Sequence, residues 1–306
     1  MVLNPEALKS YEAKVFGIRG SIELVLDRRI AGLYIWGDGG VGKSHVVTTT
    51  LQSMGVKYLL HNSRMSAPAL FDHLANSPHD VHVFEDLETM TEDKSAWDVL
   101  RSALWSQDDQ TRRITWNVKG RTEQAAFDGS LIFTANVPLQ ENNRVNALAS
   151  RLINYPFHPT EAEILALAAN LALQGHEHQG SRLPPEACLE VVEYVEKRSR
   201  ETQRKCSIRA IVNAWRARIS YENHKTRLSW QESADLLVRQ SFTAMPQTRE
   251  ARKIVEQKIA EDIYKKGLRG AAAHDEFAKA TGKAKSAWYD RLKELGIRNP
   301  GKPENN

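Results

Sequence analysis

Residues 33–47 read LYIWGDGGVGKSHVV. An apolar run, Leu33-Tyr34-Ile35-Trp36, breaks into a loop with glycines at 37, 39, 40 and 42, followed by Lys43, Ser44 and a helix-compatible segment. That is G-x-x-x-x-G-K-[ST] in a strand-to-helix setting. A phosphate chain needs backbone N–H groups at close range, and glycine both removes obstructing side chains and permits positive φ. The helix opening near Lys43 turns its positive dipole end toward the phosphates, the Lys43 ammonium reaches the β and γ oxygens, and Ser44 supplies a hydroxyl to Mg²⁺. A glycine-rich hairpin without a ligand does not account for all four motif positions filled between the right flanks. The expected ligands are ATP and Mg²⁺, and the expected nucleotide-binding residues are Gly37, Asp38, Gly39, Gly40, Val41, Gly42, Lys43, Ser44 and His45.

Upstream, residues 6–30 have a helical pattern carried by Leu8, Val15, Ile22, Val25 and Leu26, with Gly17 and Gly20 read as a turn between two helices. Downstream, a helix over 44–54 stops at Gly55, and a strand over 56–60 and a helix over 69–75 follow. Residues 80–86, DVHVFED, form an apolar strand ending in Glu85 and Asp86. Such a strand delivers its acids to the edge where α/β sheets bind ligands. One acid orients the Mg²⁺ shell and the other polarises the attacking water, with Glu88 as a third carboxylate nearby. The alternative is a helix-capping acid followed by a surface charge.

Residues 94–105 read as an amphipathic helix whose Trp97 and Trp105 fit a core role better than ligand stacking. Residues 112–118 read as a strand entering a Lys119-Gly120 turn. Its basic start fits DNA, a neighbouring subunit or a solvated sheet edge. Residues 131–136, LIFTAN, end a buried strand in Thr134 and Asn136, an amide suited to positioning water beside the two acids. Arg144 and Arg151 flank a helical stretch, and 152–157 is the last strand. From Thr160 the pattern turns helical, opening on the capping box Thr160-x-x-Glu163. Residues 174–185 read as a loop in which His176, Glu177 and His178 are too few for a metal site. Helices follow at 185–200 and 207–221.

Taken in order, GDGGVGKS, VHVFED, LIFTAN, ALASRL and SIRAIVNAWR resemble the AAA+ P-loop ATPase superfamily over about residues 10–225. The resemblance implies a parallel-sheet α/β nucleotide-binding core, here 1–159, and a helical lid, 160–242. It implies Lys43 and Ser44 on phosphate and Mg²⁺, and Glu85 and Asp86 as the Walker B acids with Glu85 toward the metal. It also implies Asn136 as sensor 1, Arg151 as an arginine finger with Arg144 the other candidate, and Arg209 as sensor 2. A finger serves a neighbour's nucleotide, so a homo-oligomeric ring or spiral is implied. The family's usual order at the strand end is Asp-Glu; here the second acid is one methylene shorter. Residues 114–136 also bear a looser likeness to superfamily 3 viral helicases.

Beyond a linker near 243–247, residues 249–306 read as a small all-α basic module of three helices, 252–266, 271–280 and 286–295, similar to helix-turn-helix DNA-binding modules. Lys283, Lys285, Arg291 and Lys293 would meet phosphates, and Trp288 is expected in the core. Protein docking is the other use of such a unit. Charge agrees with a nucleic-acid partner: residues 251–306 carry 13 Lys and Arg against 8 Asp and Glu, whereas 1–160 carry 16 against 18.

With 41% apolar and 26% charged residues, the 306-residue chain can bury a sizeable core. The start MVLNPEALKS lacks a signal-peptide pattern, no apolar run approaches the roughly 18 residues of a membrane helix, and the two cysteines, Cys188 and Cys206, have no metal or redox spacing. A cytoplasmic protein is expected. Three functions follow from the sequence: an ATPase assembling on DNA to remodel it or to load another replication or recombination protein, as in a mobile element; a superfamily 3-like helicase; or an ATP-gated regulator or scaffold.

Overall fold

The computed structural model describes residues 4–62, 65–85, 94–105, 112–118, 121–139, 148–240, 249–281, 285–295 and 297. They form two compact units, 1–241 and 242–306. The first is built on a five-stranded parallel sheet of β1 (Gly32–Trp36), β2 (Tyr58–His61), β3 (Val81–Phe84), β6 (Ser130–Ala135) and β7 (Leu152–Pro156), in the order β2-β3-β6-β1-β7. Every residue of β3 and β6 is buried because both faces of the sheet are covered, and these strands are accordingly mostly apolar, with His82, Ser130 and Thr134 the buried polar exceptions.

Side chains alternate across the pleat. Leu33, Ile35, Val83 and Ile132 meet α1 (Pro5–Leu26) and α2 (Lys43–Ser53), packing with Ile18, Ile22, Val47 and Leu51. On the other face Tyr34, Phe84, Leu131 and Phe133 meet α3 (Ala67–Asn76) and α4 (Lys94–Ala103) through Leu70, Phe71 and Leu100. The same cluster takes in an antiparallel hairpin, β4 (Arg112–Val118) and β5 (Arg121–Phe127), inserted between β3 and β6. Arg112 roots this hairpin: its guanidinium donates to the carbonyls of Ala103 and Gly129 and lies 5.1 Å from the centre of the Phe127 ring. Arg113 faces solvent, so the basic start of the hairpin divides into an internal anchor and an exposed charge.

Residues 5–26 form one uninterrupted helix, capped by the Asn4 side chain on the Ala7 N–H and opened by Pro5. The expected turn at Gly17 and Gly20 is absent. A Cβ at Gly17 would lie 2.3 Å from the Tyr155 hydroxyl, so that glycine lets the helix pack closely on β7.

The lid comprises α5 (Glu161–Ala172), a hairpin of β8 (His176–His178) and β9 (Ser181–Leu183), α6 (Pro185–Glu201), α7 (Ile208–Glu222) and α8 (Trp230–Gln240). Its own core holds Val191, Val192, Val195, Trp215, Trp230 and Val238. The Trp215 indole donates to the Cys188 carbonyl at 3.0 Å, and both cysteines are buried free thiols. His176 packs against Trp215, with ring centroids 5.2 Å apart. Among the described residues no cluster of three or more potential ligands is placed for a metal ion.

At the lid's root the capping box forms: Glu163 N–H donates to Thr160 Oγ1 at 3.2 Å, and Thr160 N–H to Glu163 Oε2 at 2.7 Å. The same buried carboxylate accepts from Ser10 Oγ (2.6 Å) and Lys14 Nζ (2.5 Å) on α1. Burial alone would raise the Glu163 carboxyl, but Lys14, Ser10 and Thr160 outweigh it and hold it below the usual value.

The second unit packs α9 (Arg249–Lys265), α10 (Gly270–Thr281) and α11 (Lys285–Glu294) around Ala260, Ile263, Ala273, Phe277, Trp288 and Leu292. No helix among the described residues is long and apolar enough to cross a membrane.

Candidate functional site

The loop after β1 is shaped by two kinds of glycine. Gly40 and Gly42 have φ of 80° and 98°, the left-handed region that side chains resist. Gly37 is needed for space: a Cβ there would lie 2.0 Å from the Phe157 carbonyl oxygen, because the end of β7 crosses behind the loop. Gly42 is also the N-cap of α2 and brings no capping side chain, whereas α1, α3, α5 and α7 are capped by Asn4, Ser66, Thr160 and Ser207. The first-turn N–H groups of α2 are therefore offered to an anion.

Lys43, 8% exposed, lies back along the loop. Its Nζ donates to the carbonyls of Gly37 (2.9 Å) and Asp38 (2.8 Å) and to Asn136 Oδ1 (3.2 Å). Ser44 Oγ is 3.4 Å from Thr134 Oγ1 on β6. Glu85 follows β3, its N–H donating to the His61 carbonyl at 2.8 Å. Because Phe84 pairs with Phe133 and Trp36 with Ala135, the parallel ladder brings Glu85, Asn136 and the phosphate loop to one sheet edge. The open helix end, ammonium, hydroxyl and carboxylate gathered there suit a nucleotide phosphate with its divalent ion. Asp86, Glu88 and Arg144 lie outside the described residues.

The lid reaches the same loop. Arg209 is the second residue of α7; its N–H donates to the Gly40 carbonyl at 3.3 Å, and a Cβ on Gly40 would lie 3.4 Å from Arg209 Cβ and 3.2 Å from Ser207 Cβ. Lys205, which sequence reasoning missed, forms an ion pair with Asp38 Oδ2 at 2.5 Å. Only the fold brings residues 38 and 205 together. His158 is a second such neighbour, with Trp36 edge-on at 4.6 Å. Burial lowers its pKa; Asp38 opposes this, while Lys205, Lys43 and Lys14 add to it. The Nε2 of His158 and the Nε1 of Trp36 are buried without a hydrogen-bond partner among the described residues.

Arg151 stands at the opposite end of the sheet. It immediately precedes β7, whose first residue Leu152 pairs with Gly32, the first residue of β1. The phosphate loop follows the last residue of β1, five residues on, which is about 17 Å along a strand. The Arg151 Cζ lies 5.0 Å from the Trp105 ring centre.

Behind Glu85 is a histidine pair that the sequence did not reveal. His61 Nε2 and His82 Nδ1 are 3.1 Å apart, and His82 Nε2 is 2.9 Å from the Ser77 carbonyl oxygen. A carbonyl only accepts, so the His82 proton is on Nε2, its Nδ1 accepts, and His61 donates from Nε2. Burial, then His82 and His73, push His61 down to about 4 from an ordinary 6.5, and burial also lowers His82. Below pH 6.5 the unfolded chain takes up protons that the native pair refuses, so stability present above that pH falls as pH drops toward 4. The slope is at most about 1.4 kcal/mol per pH unit for each histidine. Urea midpoints at pH 7, 6 and 5 should decline in the wild type and decline less in His61→Gln; parallel profiles would exclude the pair as the source.

In the second unit, the Arg291 guanidinium is engaged with Glu256 (2.9 Å) and Glu294 (2.6 Å), so its charge is balanced internally. The Lys285 ammonium lies 5.9 Å from the Tyr289 ring centre, and Lys283 is outside the described residues.

No protein-family profile matches the chain, and no curated protein sequence matches it. Similar solved structures include two point mutants of RuvB from Thermotoga maritima, at 15% and 14% identity, each covering 98% of this chain and 91% of the other with a TM-score of 0.47. A third is the Thermotoga maritima RuvB Holliday junction branch migration motor, at 14% identity, 95% and 89% coverage and a TM-score of 0.47. The strand order β2-β3-β6-β1-β7, the phosphate loop at the tip of β1 and the helical segment resting on that loop form a P-loop-type parallel α/β fold, the arrangement that the sequence resemblance implied.

Proposed function

We propose that the chain is an ATPase that grips Mg-ATP with its own phosphate loop and hydrolyses it at a seam between copies of itself, in a ring or spiral assembled on DNA. In this reading the residues from Gly37 through His45 hold the triphosphate, with Lys43 on its β and γ oxygens. Ser44 and Glu85 would hold Mg²⁺, which supplies charge neutralisation between those oxygens. Asp86 accepts the proton of the attacking water and Asn136 orients that water. Arg209, from the same copy's lid, steadies the phosphates.

The observation that carries the reading is the separation of Arg151 from Lys43 by the length of β7 and β1. An arginine whose backbone stands about 17 Å along the strand from its own phosphate loop is poorly placed to stabilise charge building on its own γ-phosphoryl group, whereas a copy alongside can receive its guanidinium. The basic excess of residues 251–306 supports DNA as the surface on which copies gather. The task served is remodelling that DNA or loading a partner protein onto it.

The test is ATP turnover per subunit against protein concentration, with and without single- and double-stranded DNA. The expected rate rises with concentration and rises further with DNA. A rate independent of concentration sinks the seam, and one independent of DNA favours an ATP-gated scaffold. The β4–β5 hairpin placed just before β6 favours a second reading, a superfamily 3-like helicase, which displacement of an annealed strand would establish.

A further inference from the structure

The edge of the sheet where β1 and β7 begin carries an aromatic residue with no evident reason to be exposed. We propose that Trp105 is a positioning residue for Arg151: its indole holds the guanidinium in the orientation in which a second copy of this chain receives it. The proposal rests on the reading that Arg151 acts across a seam.

Both backbones at this point are fixed. Trp105 lies two residues past the end of α4, its N–H donating to the Ser102 carbonyl at 3.2 Å, and the preceding Leu104 is buried against β1, 3.1 Å from where a Cβ on Gly32 would sit. Arg151 N–H donates to the Leu148 carbonyl at 2.9 Å, and the next residue enters the β7 ladder. Two rooted residues thus project toward each other, and the Arg151 Cζ comes to 5.0 Å from the indole centre.

Yet Trp105 remains 46% exposed, while Val99, Leu100 and Leu104 just before it are buried. Core packing explains those three and leaves the indole unexplained. A guanidinium over an indole face is held by the ring's negative quadrupole and by planar stacking, and it loses rotamer freedom there. For a group that must meet a developing charge, that loss is taken before the reaction instead of at the transition state. The occupant of the exposed side follows from Arg151 itself, which stands too far from its own phosphate loop and needs a neighbour's.

The experiment mixes two inactive full-length chains at equal concentration. Lys43→Ala cannot bind nucleotide but donates Arg151; Arg151→Ala binds nucleotide but donates no guanidinium. Mixing them is expected to restore ATP turnover. Donors carrying Lys43→Ala with Trp105→Ala or Trp105→Leu are expected to restore roughly three- to tenfold less. The donor with Trp105→Phe keeps an aromatic face and should restore most of the rate. Nucleotide affinity of the acceptor and the donors' unfolding midpoints should not move, which separates positioning from a structural effect. Equal restoration by the alanine, leucine and tryptophan donors overturns the role of Trp105 and leaves the seam standing. No restoration in the reference mixture overturns the seam, and the positioning role with it.

Discussion

Lys43→Ala is expected to weaken ATP binding by more than about 100-fold, measured by titration with a fluorescent ATP analogue, while the unfolding midpoint shifts little. The ammonium is buried at the mouth of α2 and donates to two loop carbonyls and to Asn136. On the proposed reading those donors turn to phosphate oxygens when nucleotide binds, and charge-assisted hydrogen bonds contribute about 1.5–3 kcal/mol each. Losing two, about 3–6 kcal/mol, exceeds the ~2.7 kcal/mol that corresponds to a hundredfold change in affinity. The acceptors left behind lie on a loop whose neighbours are half-buried, so water replaces the lysine at small cost to stability. An affinity within a few-fold of wild type would remove residues 37–45 from the nucleotide site.

Arg151→Ala is expected to lower the turnover number by about 10³ without weakening ATP binding, the size of effect seen when a guanidinium is withdrawn from phosphoryl transfer. The two readouts part because Arg151 lies at the far edge from its own phosphate loop, so its loss leaves that loop untouched. Turnover should be measured where the wild-type rate no longer rises with protein concentration. Under that condition an unchanged rate would mean that another cation completes the site, and Arg144 would be the next to replace. A fall in ATP affinity of the isolated chain would contradict the placement of Arg151 beyond reach of its own nucleotide.

The phosphate loop was legible because its requirements are local: glycines where the backbone turns left-handed, then lysine and serine at the helix start. The positions of Glu85, Asn136 and Arg209 were legible for a related reason, since each follows a strand or begins a helix whose pattern is plain, whereas Asp86 lies outside the described residues. Gly17 misled because a glycine that makes room for Tyr155 looks the same, in one sequence, as a glycine that breaks a helix. Two signals went unread. Gln179-Gly180, with φ of 50° and 72°, is the tight turn of the β8–β9 hairpin. Ser229-x-x-Glu232 caps the start of α8, with Glu232 N–H on Ser229 Oγ at 3.2 Å. Strand β5, RTEQAAF, is mostly polar and becomes a strand only through its partner β4. The Lys205–Asp38 pair, His158, and the His61–His82 pair are products of long-range folding, for which the sequence offers no spacing to read.

Glu163 ties three pieces of chain to one carboxylate: α1 through Ser10 and Lys14, the stretch leaving β7 through Thr160, and α5, which it helps to begin. Such a knot acts as the jamb of a door. The lid cannot swing at this end without stranding a buried negative charge, so any swing has its free side at Lys205 to Ile208, where the described fastening includes a partly exposed ion pair, a long backbone hydrogen bond and the packing of Ile208 against the cluster that includes Val41.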